Sequence, residues 1–186
     1  MSFALVSVIL LFTEHYPNSN SGVDACMMVN NKQDQQGDSK QAWKNNNCEI
    51  RLQYVCEIPA GYTPPTTLPP PTILPPQPCD PNNPADMWVK FPADQGGDGE
   101  YCYLFNTFSQ ETWHGAKDAC ILHGGRLASI HSTQENDFIL HNLARNGQGW
   151  VGYLKDPSTS SFKWTDGSDT DFYRWGSKRK DTFLYL

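Results

Sequence analysis

Between Tyr62 and Pro78 the chain reads Tyr-Thr-Pro-Pro-Thr-Thr-Leu-Pro-Pro-Pro-Thr-Ile-Leu-Pro-Pro-Gln-Pro, without a glycine or a charge. Prolines at this density remove backbone donors and fix φ, so neither a helix nor a central strand can run through the segment. It favours polyproline II conformation, with a reach of roughly 50 Å if straight. Ten of the 14 prolines lie between Pro59 and Pro81. Any core must therefore come from two pieces, residues 14–59 and 79–186, joined by a linker over residues 60–78. Threonines beside prolines are acceptors for O-linked glycans in mucin-like stalks, or part of a bare spacer.

Six cysteines, Cys26, Cys48, Cys56, Cys79, Cys102 and Cys120, are shared between these pieces, and no two stand in a C-x-x-C arrangement. That usage points to structural disulfides and an oxidising, extracellular compartment. The net charge of −6 is spread over both pieces, which gives nucleic acid nothing to grip. Residues 1–13 hold an apolar run, Ser2 to Phe12, with no basic start. The run is too short to span a bilayer and reads as a weak signal peptide or a truncated start. Four of the five histidines, His114, His123, His131 and His141, place no pair on one helical turn, and no nucleophile motif occurs. Neither an enzyme, a catalytic residue nor a metal centre is expected from them.

Local patterning after the linker alternates between strand and helix signals. Tyr101–Phe105 reads as a strand ending at the turn-prone Asn106-Thr107. A helix follows with Ser109 as N-cap, Trp113, Ala116 and Cys120 on its inner face, and Gly124-Gly125 as its stop. Ser132-Thr133-Gln134-Glu135 is a capping box opening a second helix that buries Phe138, Ile139 and Leu143 and closes at Gly147 and Gly149. Trp150–Leu154 and Phe162–Trp164 read as strands, with Asp156-Pro157-Ser158 and Asp166-Gly167-Ser168 as turns. This order predicts an α+β fold. Before the linker, residues 13–50 suggest long irregular loops, and Leu52–Ile58 alternates as a half-buried strand.

Two passages resemble the C-type lectin-like domain. Ala116–Cys120, Gly124–Ile130, Gln134–Asn136 and the Trp150-Val151-Gly152-Tyr153 strand, like the family's W-I-G-L, resemble its N-terminal half. Tyr16-Pro17-Asn18, Asp24-Ala25-Cys26, Trp43 through Cys48, and Tyr54-Val55-Cys56-Glu57 resemble its C-terminal half, in the family's spacing. The halves stand in reversed order. They are either the tail of one domain and the head of the next, or one circularly permuted domain.

The resemblance implies disulfides Cys26–Cys48, Cys56–Cys120 and Cys79–Cys102. It also implies a calcium-dependent sugar site built from the E-P-N triplet, a carboxylate two residues before the loop cysteine, and the W-N-D pair. This sequence has Asn18 and Asp24 at matching positions, and Asn45 where Asp belongs. Tyr16 replaces the first Glu, and Lys44 the Asn. Ca²⁺ takes six to eight oxygens, several of them anionic. Asp24 is the one carboxylate left, and Lys44 adds an ammonium that repels a dication. We expect residues 16–45 to hold no calcium; the second piece ends before its own ligand loop, so its calcium binding is not readable. The expected function is extracellular recognition of a glycan or protein partner, through a degraded site at Asn18, Asp24 and Asn45, with no membrane span. The alternative is a structural stalk or matrix component.

Overall fold

A computed structural model describes residues 13–15, 26–31, 42–60, 79, 87–97, 100–143 and 147–179. Before the Pro-rich segment lie β1 (Thr13–His15), β2 (Cys26–Asn30), β3 (Ala42–Asn46) and β4 (Leu52–Pro59). After it come β5 (Trp88–Lys90), a 3-10 turn (Ala93–Gln95), β6 (Tyr101–Glu111), α1 (Trp113–Leu122) and β7 (Arg126–Leu127). Then follow α2 (Thr133–Asn142), β8 (Gln148–Lys155), β9 (Phe162–Trp164) and β10 (Ser177–Arg179). Two helices, a mixed sheet and three disulfides make the α+β class a property of the molecule, in the C-type lectin-like pattern.

The main sheet runs β3-β2-β8-β4-β6-β5, with β7 also pairing β4 and β9 pairing β8. Its centre is β4, antiparallel to β6 from Leu52↔Glu111 to Pro59↔Tyr101 and parallel to β8 at Tyr54↔Trp150. β2 lies antiparallel to β8 on the other side. Strands from before and after the Pro-rich segment thus interleave, and neither piece holds a sheet of its own. A small separate ribbon pairs β1 with β10.

Because β4 is central, both of its faces are covered. Val55 joins Phe138, Ile139, Leu140 and Leu143 of α2 in one core cluster, and Tyr54 and Cys56 join Trp113, Ala116 and Cys120 of α1 in another. β4 is buried almost throughout, which corrects the half-buried strand that its alternation suggested. The disulfides follow the same geometry: Cys56–Cys120 ties β4 to α1, with Cα atoms 5.4 Å apart, and Cys26–Cys48 and Cys79–Cys102 close at 5.2 and 6.0 Å.

Four local expectations are corrected. Residues 13–50 are not loop alone, because β2 and β3 lie there; β2 is buried at every position and β3 at nearly all, so neither alternates. The strand from Tyr101 does not stop at Asn106; that side chain accepts from the Ser109 N–H at 3.0 Å and donates to the Tyr54 hydroxyl at 2.7 Å, and β6 continues to Glu111. The N-cap of α1 is accordingly Thr112, whose hydroxyl accepts from the Gly115 N–H at 3.1 Å, and not Ser109. α2 ends at Asn142, and Gly149 sits inside β8, where an added Cβ would press to 3.0 Å on Leu143.

Candidate functional site

Of the residues singled out for the calcium-type loop, Tyr16, Asn18 and Asp24 lie outside the described residues. Lys44 and Asn45 are on β3, paired in register with Met28 and Met27 of β2, and both are buried, at 7% and 6% exposure. Their neighbour Trp43 is fully buried. Its indole N–H donates to the Asn136 side-chain oxygen at 2.8 Å, and its ring meets Trp164, Phe172 and Trp175 edge-on, with centroids 5.4 to 6.0 Å apart. Backbone bonds hold the same strand to the loop after β9: Trp43 N–H to the Arg174 carbonyl at 2.7 Å, and Gly176 N–H to the Trp43 carbonyl at 3.0 Å. Trp43 is a core residue that joins β3 to α2 and to that loop.

A second polar constellation, which sequence reasoning missed, lies between the two pieces. A cavity of about 260 Å³ is lined by Glu57, Tyr101, Tyr103, Ser129, Glu135 and Asp166, among others. Glu57 points from β4 and is 1% exposed. Its Oε1 accepts from Arg126 Nε at 2.8 Å and lies 3.1 Å from the Ser129 hydroxyl. That hydroxyl is also 3.0 Å from Asp166 Oδ2, which pairs with Arg126 Nη2 at 3.3 Å. Gly125 makes the arrangement possible: a Cβ there would sit 2.5 Å from the Glu57 carbonyl oxygen, so only glycine lets Arg126 draw alongside β4.

Glu135 completes the group from α2. The Tyr103 hydroxyl donates to it at 2.6 Å and the His131 N–H at 2.7 Å, while Ser132 caps the helix by accepting from the Glu135 N–H at 3.1 Å. The expected capping box is therefore altered, since Glu135 reaches past Ser132 to His131. Burial pushes Glu57 up to about 7, a rise that Arg126 offsets in part and that Glu135 and Asp166 add to. The Asp166 side chain is only 4% exposed as well. Burial raises it too, but the Ser168 hydroxyl and N–H, Ser129 and Arg126 together hold it below the ordinary aspartate value. Asp166 and Ser168 also form the expected turn.

One signal could have found this group. Glu57 interrupts the apolar run of β4, and an acid at a core position requires buried partners. Those partners are 69 and more residues away in sequence, beyond any local pattern. Among the described residues, no group of three or more His, Cys, Asp or Glu is placed to hold a metal, and no helix is long and apolar enough to cross a membrane.

Residues 109–183 match the model of the lectin C-type domain. The C-type mannose receptor 2 of Homo sapiens is 31% identical over 144 residues, which is 74% of this chain and 8% of that protein. The CD302 antigen of Rattus norvegicus is 36% identical over 112 residues, 55% of this chain and 47% of that protein. The secretory phospholipase A2 receptor of Mus musculus is 29% identical over 85 residues, 45% of this chain and 6% of that protein. The chain thus spans less than half the length of each of these relatives. No solved structure matches it.

Proposed function

We propose, starting from a chain whose residues 109–183 match the lectin C-type domain, that this protein is an extracellular recognition module for a glycan or protein ligand. In this reading it binds without a calcium ion at residues 16–45. The burial of Lys44 beside Trp43 and Asn45 carries the calcium part of the reading. A lysine at a position where the lectin pattern has a neutral oxygen ligand supplies no oxygen to a dication, and among the residues matched to that pattern Asp24 is the single carboxylate. Three disulfides support the extracellular setting. The names of the relatives, two of them receptors, support recognition over catalysis.

The test is a glycan microarray and a receptor-ectodomain binding screen, each run with and without a chelator. Binding that persists in chelator is expected. Binding abolished by chelator would overturn the calcium-independent reading, and no binding in either format would favour the stalk or matrix alternative.

A second reading concerns arrangement. The match to mannose receptor 2 covers 74% of the chain, more than residues 79–186 can supply, so it crosses the Pro-rich segment. The order of the two pieces therefore also occurs in a much longer protein, which favours reading them as parts of successive domains. The interleaved sheet favours one permuted domain, and the bonding of Cys56 separates the two.

A further inference from the structure

The buried carboxylates between the two pieces have a hydrogen-bond imbalance. Ser129 has one hydroxyl proton, yet its oxygen is 3.1 Å from Glu57 Oε1 and 3.0 Å from Asp166 Oδ2. Ionised carboxylates only accept, so with both charged the serine can satisfy one and must turn a lone pair to the other. A proton on Glu57 removes the conflict: its carboxyl then donates to Ser129, and Ser129 donates to Asp166. We propose that Glu57 is a proton-operated latch between the two pieces, closed in mildly acidic solution by this Glu57–Ser129–Asp166 chain and strained at alkaline pH.

The other groups around Glu57 agree with this. β7 supplies Arg126, a single cation shared by Glu57 and Asp166. α2 supplies Glu135, another carboxylate, already satisfied by Tyr103 from β6 and the His131 N–H. The Tyr101 hydroxyl, also from β6, is 3.5 Å from Arg126 Nη2. The His131 ring Nδ1 lies 2.8 Å from the Asp171 carboxylate. Two carboxylates share one guanidinium, and Glu135 adds its negative charge to a site where burial already raises Glu57 to about 7. Because the folded value lies above the ordinary one, the folded state holds the proton more tightly than the unfolded chain. The added stability is present at low pH and is lost as pH rises through 7.

The expected result is a melting temperature about 3 to 5 °C higher at pH 6 than at pH 8, after subtracting the profile of Glu57→Gln. The amide of that variant does not titrate, so its own contribution is flat and the difference isolates Glu57 from the histidines. Carbon-13 NMR of the unsubstituted chain provides a second readout, with the Glu57 carboxyl titrating near neutrality. A Glu57→Gln profile parallel to that of the unsubstituted chain would overturn the proposal. So would a Glu57 carboxyl that titrates in the ordinary glutamate range.

Discussion

Replacing Cys56 and Cys120 together by serine is expected to lower the unfolding free energy by about 4 kcal/mol, read from urea denaturation. The bond spans a separation of 64 residues, and on the chain-entropy account a loop of that size restricts the unfolded chain strongly. It also joins the two sides of the Pro-rich segment, so its loss leaves them held by strand pairing, packing and polar contacts such as Glu57–Arg126 and Trp43–Asn136. Non-reducing peptide mapping gives the matching chemical result: Cys56 and Cys120 in one crosslinked peptide. Finding either as a free thiol would contradict the single interleaved domain and support the reading in which the pieces belong to successive domains.

The second large effect is at Trp43. Trp43→Ala is expected to cost about 4 kcal/mol, since it empties a fully buried indole site among Tyr153, Trp164, Phe172 and Trp175. Part of that cost is polar, because Asn136 is completely buried and loses its donor. Trp43→Phe separates the two contributions. It keeps most of the ring packing but still leaves the Asn136 oxygen unpaired, and should cost about 1–3 kcal/mol. A loss below about 1 kcal/mol in the alanine variant would contradict the placement of Trp43 in the core. Trp43 also fixes the position of its buried neighbours Lys44 and Asn45 on β3.

Helices and the strands with aromatic or W-I-G-L-like content were legible in the sequence because their signals are local. Ser132 before an apolar stripe, Trp113, Ala116 and Cys120 at helical spacing, and Trp150–Tyr153 all declare themselves within a few residues. β2 and β3 were hidden because strands covered on both faces, or carrying asparagines in buried register, lose the period of two. The Glu57–Arg126–Asp166 group was hidden for another reason: it exists only once β4, β7 and the turn after β9 are assembled. Residues 16–45 were read from their residue types alone. Lys44 in a ligand position is a chemical statement that needs no coordinates, and the structure adds that its strand is buried.

Calcium titration of the intact, oxidised chain by isothermal calorimetry tests the central claim most directly. Calcium that binds the native state stabilises the fold by mass action whatever its binding enthalpy, so the titration is read together with the melting temperature in calcium. No saturable heat and no melting-temperature rise attributable to residues 16–45 are expected, so that the titrations of the unsubstituted chain and of Asp24→Ala superimpose. A saturable calcium heat or a melting-temperature rise that disappears in Asp24→Ala would contradict that expectation and restore a working metal site to these residues.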